Sequence, residues 1–229
     1  MSAAIRGISS MATRELLAEL AGAYERRTGE AVRIESVGGV DAARRVQAGE
    51  GFDIVVLASD AIDRLAAGGA VLARSKVDLV HSPVAVAVRE GAALPDVASE
   101  DALRRALQAA ATIGYSTGPS GTALLRLFER WGLAAELQPR LVQAPPGVPV
   151  GALVAKGEVA MGFQQLSELI HLGGIALAGV LPPPVAIITT FSGAVCAGSS
   201  RAEAARRLLA FMASPDADGA KRRQGMEPA

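Results

Sequence analysis

The sequence predicts an α/β protein built on mostly parallel sheets with helices on both faces. Short apolar runs alternate with helix-periodic runs along almost the whole chain, the pattern of strands joined by crossover helices. Three of those strands end in glycine- and hydroxyl-rich bends that lead into a helix: Ser9-Ser10, Ser36 to Gly39, and Thr117 to Thr122. The alternation restarts after a valine-rich stretch in mid-chain, which implies a second unit of the same kind. Parallel sheets of this class take ligands beyond the carboxyl ends of their strands, where all three bends lie.

In chain order, Ala4 to Ile8 reads as a strand, and Ala12 to Arg27 as a helix with Leu16, Leu17, Leu20 and Tyr24 on one face. Val32 to Val37 is a second strand, Val40 to Gln47 a helix and Asp53 to Ala58 a third strand. Leu79 to Val88, interrupted at Ser82-Pro83, reads as a buried strand or crossover segment. The second set comprises a helix over Ala102 to Ala111, a strand over Thr112 to Tyr115, helices over Gly121 to Trp131 and Gly151 to Lys156, and a strand over Val159 to Phe163. Leu181-Pro-Pro-Pro184 is a stiff linker that continues neither helix nor central strand. Strands over Val185 to Thr189 and Gly193 to Ala197, then a helix from Ala202 to Met212, complete the expectation.

Composition narrows the function. Half of the 229 residues are apolar, enough for a substantial core, and 23 basic residues balance 23 acidic ones. Such balance gives no long-range field for nucleic acid or an anionic membrane, so an anion has to be held locally. Eight aromatic residues are too few for a stacking platform or an aromatic sugar groove, which leaves a small polar ligand. Cys196 is the only cysteine and sits in the apolar Gly193-Ala-Val-Cys-Ala197, the setting of a buried strand thiol rather than a nucleophile. His81 and His171 lack ligand-spaced companions, so neither a metal site nor a cofactor is expected. No apolar run reaches membrane-spanning length, and the first ten residues read as a strand entering a turn rather than as a signal peptide. The expected location is the periplasm if a leader has been removed and the cytoplasm otherwise.

The segment Ile113-Gly-Tyr-Ser-Thr-Gly-Pro-Ser-Gly-Thr-Ala-Leu-Leu125 has the grammar of an anion cradle. Backbone N–H groups of a first helical turn point outward with the positive dipole end behind them, and glycine admits close approach. Ser116, Thr117, Ser120 and Thr122 add hydroxyls. An ordinary cap, with Ser120 or Thr117 satisfying orphan donors and Pro119 in the first turn, is the other reading of this stretch taken alone. Three such bends together favour a cleft lined by backbone donors.

The chain resembles the molybdate-binding proteins among the type II periplasmic solute-binding proteins. The shared landmarks are Ser9-Ser10 after the first strand, Ala42-Ala-Arg-Arg-Val-Gln-Ala-Gly-Glu50 followed by Phe52-Asp-Ile-Val-Val-Leu-Ala58, and the Gly118-Pro-Ser-Gly121 turn. Ala152-Leu-Val-Ala-Lys-Gly-Glu-Val-Ala-Met-Gly162, Ser214-Pro215 and Gly225-Met-Glu-Pro-Ala229 continue the match towards the end. The resemblance implies two α/β lobes joined by crossover strands: residues 1–82 with 183–229, and residues 83–182, with the ligand cleft between them. By position, Ser10 or Ser9 would donate from the first bend, Gly38, Gly39 and Val40 from the second, and Ser120, Gly121 and Thr122 from the third. Gly147 or Val148 would supply a further backbone donor. The same resemblance implies a monomeric component of an ABC-type importer, partnered by that importer's membrane subunit and holding a small anion without cofactor or metal.

Two departures from the molybdate pattern bear on the ligand. Gly38-Gly-Val-Asp41 stands where molybdate binders usually place a serine, and Gln164-Gln165 falls near the family's tyrosine. A carboxamide both donates and accepts, which suits a hydroxy or unsaturated carboxylic acid better than a bare oxyanion. Aconitate isomerase, which interconverts cis and trans forms of a tricarboxylate, resembles this same family, so a cofactor-free isomerase is the enzyme alternative. It needs a group to move a proton beside a carboxylate; Glu168 and His81 are the candidates, each with a structural alternative as a capping carboxylate and a hinge group. Arg14, Arg44 and Arg45 follow the first two bends closely and would grip carboxylates bidentately if turned inward. An intracellular ligand-sensing domain is the third reading.

Overall fold

The computed structural model describes residues 4–145 and 147–229. Two compact units emerge. One runs to Ser82 and resumes at Thr189 through Ala229; the other is Pro83–Ile188. Residues 183–188, which the resemblance assigned to the first lobe, thus lie with the second unit.

The first unit opens with β1 (Ile5–Ser10), a single 3-10 turn, α1 (Arg14–Thr28), β2 (Val32–Val37), α2 (Gly39–Gln47), β3 (Ile54–Ala58) and α3 (Ser59–Ala67). β1 pairs in parallel with β2 on one side and β3 on the other. All five residues of β3 are buried, because helices cover both faces. Ile54, Val56 and Ala58 pack in one cluster with Leu16, Leu17 and Leu20 of α1, while Val55 and Leu57 pack in another with Val46 of α2 and Ile62 of α3. Period-two alternation of an entirely apolar strand is what divides the core into these two layers.

β4 (Val77–Arg89) runs from the first unit into the second. There follow α4 (Glu100–Ala109), β5 (Ile113–Tyr115), α5 (Pro119–Arg130), α6 (Ala134–Leu137), β6 (Leu141–Gln143), α7 (Val150–Lys156), β7 (Met161–Gln165), α8 (Leu166–Leu169) and β8 (Ile175–Val180). β5 lies parallel to both β6 and β7, and β4 runs antiparallel to β7 and to β8. Met161 and Phe163 of β7 pack with Leu124, Leu127 and Phe128 of α5, and the opposite face of the strand meets α7. A Cβ on Gly162 would lie 2.6 Å from Val154 and 2.9 Å from Val150, so this glycine sets how closely α7 approaches β7.

The chain then re-enters the first unit. β9 (Ile188–Val195) is one antiparallel strand on β3, where the sequence suggested two shorter strands, and the 3-10 turn Pro183–Val185 precedes it. α9 (Ala202–Ala213) and α10 (Asp218–Arg223) complete the cover over α1, and β10 (Glu227–Pro228) pairs with β4 at His81 and Val80. Antiparallel β4, β8, β9 and β10 make the sheet mixed rather than purely parallel.

Candidate functional site

In the first unit the bends after β1 and β2 meet. Ser9 is fully buried and its hydroxyl lies 2.8 Å from that of Ser36 at the end of β2. Ser10, half-buried, caps the following 3-10 turn weakly, its hydroxyl 3.4 Å from the Ala12 N–H. Ser9 therefore ties two strand ends together, and Ser10 is the hydroxyl left at the rim. Gly38 caps α2 without a side-chain bond, and Gly39 and Val40 form its first turn. A Cβ on Gly39 would lie 3.9 Å from the Ser10 hydroxyl, which places the second bend against the first. Val40 is 77% exposed, so the rim presents one apolar side chain next to backbone N–H groups that a helix cannot satisfy internally.

The three arginines that follow these bends do not join the rim. Arg14 pairs with Glu15, and Arg44 with Asp41 one turn back. Arg45 bonds Glu35 and Glu50 and stacks on the Phe52 ring at 5.2 Å. The Glu35 and Glu50 bonds hold the Arg45 guanidinium above its ordinary range, and the same Arg45 bond holds Glu35 below its own.

In the second unit the corresponding rim forms at the ends of β5 and β7, which run in parallel and finish on the same side. The Ser116 and Ser120 hydroxyls are 3.1 Å apart, with Ser120 buried in the first turn of α5. Gly121 is obligatory there, because a Cβ would sit 1.9 Å from the Ser116 carbonyl oxygen. Thr122 is exposed, and its hydroxyl reaches only the Gly118 carbonyl at 3.5 Å. Gly147 adopts φ +79°, and the N–H of the next residue, Val148, donates to the Pro145 carbonyl at 3.0 Å. That bond closes the turn leading into α7, so the Val148 N–H is occupied within its own loop.

Gln164 and Gln165, both buried at the end of β7, face opposite sides of the sheet. Gln164 shares the face of Gly162 and α7: its Oε1 accepts from the Gly151 N–H at 3.2 Å, and its Nε2 donates to Glu168 Oε1 at 2.8 Å. Gln165 shares the Phe163 face, the one covered by α5. His81 lies on β4 in the first unit, with Nδ1 3.0 Å from the Thr190 hydroxyl on β9. Ser82, which the sequence marked only as an interruption of an apolar run, is fully buried, and among the described residues its hydroxyl meets no hydrogen-bond partner. Cys196 is buried just past β9, and burial followed by the charge of Asp53 pushes its thiol up to about 12.

Among the described residues there is no cluster of three potential metal ligands, and no helix is long and apolar enough to cross a membrane. The groups named at the two rims are mostly neutral ones, hydroxyls, carboxamides and N–H groups of first helical turns, together with Asp41, paired to Arg44, at the first and Glu168, bonded to Gln164, at the second.

Comparison with known proteins agrees with this architecture. The family model for bacterial extracellular solute-binding proteins matches residues 5–227. An aconitate isomerase from a Pseudomonas species is 39% identical over 227 residues, covering 96% of this chain and 86% of the relative. The fold is similar to that of the periplasmic molybdate-binding protein of Azotobacter vinelandii, with a TM-score of 0.80 and 20% identity over 97% of this chain and 98% of that one. It is similar too to the sulfate-binding protein SubI of Mycobacterium tuberculosis, with a TM-score of 0.81 and 17% identity over 100% and 88% of the respective chains. The type II periplasmic-binding-protein fold and an end-to-end family match therefore agree: the chain belongs to the bacterial extracellular solute-binding protein family.

Proposed function

We propose that this protein binds an unsaturated tricarboxylate of the aconitate type and interconverts its cis and trans forms. The observation that carries this reading is the 39% identity to an aconitate isomerase along 96% of the chain, a likeness far stronger than that to either oxyanion-binding structure. The rims suit the chemistry. Isomerisation requires removal of a proton from the CH2 beside a carboxylate, spread of the resulting charge over a dienolate, and return of a proton at the other end of the allylic system. Neutral donors such as the N–H groups of the first turns of α2 and α5 stabilise such charge without neutralising a neighbouring base. The residues proposed to contact the ligand are Ser10, Gly39 and Val40 in the first unit and Ser120, Gly121 and Gln165 in the second.

The test is direct. Purified protein incubated with trans-aconitate should yield cis-aconitate, resolved by chromatography, until an equilibrium mixture forms. Absence of conversion at stoichiometric protein would remove the isomerase reading.

A second reading is favoured by the family itself and by the likeness to molybdate- and sulfate-binding folds: capture of a small anion for an ABC-type importer, without turnover. Thermal-shift titration with molybdate, tungstate, citrate and aconitate separates the two, because a ligand that binds only the folded state raises its midpoint. Stabilisation by molybdate alone would favour the importer.

A further inference from the structure

We infer that Gly39 and Gly118 select the ligand by size, each keeping a side chain out of the bend that holds Ser10 or Ser120; the inference rests on the reading of those bends as contacts for a tricarboxylate. The two glycines stand in similar places, one in each unit. Gly39 is the first residue of α2, beyond the end of β2, and Gly118 caps α5, beyond the end of β5.

Neither glycine is demanded by the backbone. Gly39 is helical and has no positive φ, and Gly118 is extended at φ −83°, a conformation open to every residue. Packing does not demand them either. Among the described residues, and leaving aside neighbours along the chain, a Cβ on Gly39 would meet Leu57 at 3.8 Å and the Ser10 hydroxyl at 3.9 Å. One on Gly118 would meet the Ser116 hydroxyl at 3.8 Å. These are ordinary contact distances. Gly121, three residues further on, is the contrast, because its Cβ would strike a carbonyl oxygen at 1.9 Å. Gly121 serves the fold, whereas at Gly39 and Gly118 the fold would accept a side chain and gain from it, since glycine adds freedom to the unfolded chain.

What the missing side chains leave is room next to hydroxyls. The space beside Gly39 opens on Ser10 Oγ, whose bond to the Ala12 N–H is long at 3.4 Å. The space beside Gly118 opens on Ser116 Oγ, which lies 3.1 Å from the buried Ser120 hydroxyl. A planar carboxylate on an extended arm needs such room to reach a hydroxyl and the backbone behind it, and glycine admits that approach. The class selected is therefore an anion with several carboxylate arms rather than a compact tetrahedral one.

A size series at each position tests this: Gly39→Ala, Gly39→Val, Gly118→Ala and Gly118→Val. Each variant is measured for its thermal midpoint without ligand and for its calorimetric affinity for trans-aconitate. The alanine variants should melt at or above the parent, because alanine fits the native backbone and restricts the unfolded chain. Their affinity should fall by about tenfold, and that of the valine variants further, as one added carbon does in a fitted pocket. Parent-like affinity in a folded valine variant would overturn the assignment at that position. Alanine variants that lose stability together with affinity would overturn it too, since the glycines would then serve the fold. A parent that shows no binding of trans-aconitate would instead overturn the tricarboxylate reading, and the selection by size with it.

Discussion

Gly121 shows how a single atom decides whether the second rim exists. Its missing Cβ lets the Ser116 carbonyl lie against the first turn of α5, and no side-chain rotation relieves a 1.9 Å backbone contact. Gly121→Ala is expected to lose about 2–3 kcal/mol in denaturant titration, the upper range of overpacking, and to abolish ligand-dependent stabilisation. Ser120 lies in the same turn but its substitution is more selective: a bulky residue such as phenylalanine should block the rim while the fold persists. Cys196 gives a prediction in pH. Its thiol is held up to about 12 in the folded chain, against an ordinary value of 9.0, chiefly by burial. Above pH 9 the unfolded state sheds this proton first, so unfolding is favoured progressively as pH rises towards 12, while below pH 9 the thiol leaves stability unaffected. Urea midpoints of the parent should therefore fall more steeply over that window than those of Cys196→Ala.

Among the elements, β7 and α7 form the joint on which the second rim depends. α7 is only seven residues long and owes its place to packing of Val150 and Val154 over Gly162 rather than to intrinsic helix stability. Gly162→Val should therefore displace α7, break the Gly151–Gln164 bond and reduce both thermal midpoint and turnover. Replacing Gln164 alone should reduce turnover with a smaller loss of midpoint. The strands and long helices were legible from the sequence because each has a strong period: β2 follows Val32 to Val37 residue for residue, and α9 extends the expected helix by one residue. Elements without such a period escaped. α3 begins on Ser59-Asp60 directly from β3, β8 carries small residues of intermediate burial, and β9 hides a polar Thr-Thr start that reads as a break. The bends were visible because glycine and serine carry their own conformational signals. The partnerships inside them were not: that Ser9 bonds Ser36, that Val148 closes a turn, and that Gln164 reaches Gly151 and Glu168 depend on residues brought together by the fold.

At the scale of the whole molecule, Arg14, Arg44 and Arg45, which follow the first two bends, are committed to acidic neighbours. The arginines nearest the first rim are matched to acidic neighbours, and the totals of 23 basic and 23 acidic residues cancel. A ligand held by N–H groups and hydroxyls should therefore lose less than about threefold in affinity between low and physiological salt, whereas an arginine-lined site would be screened more strongly. The central claim is that the chain takes one organic anion, with Ser10 and Ser120 among the proposed contacts. Its most direct test is calorimetric titration of trans-aconitate into the parent, Ser10→Phe and Ser120→Phe, with folding checked in parallel. The account predicts one site per chain in the parent and loss of measurable binding in both variants, each folded; parent-like affinity in either variant would contradict it.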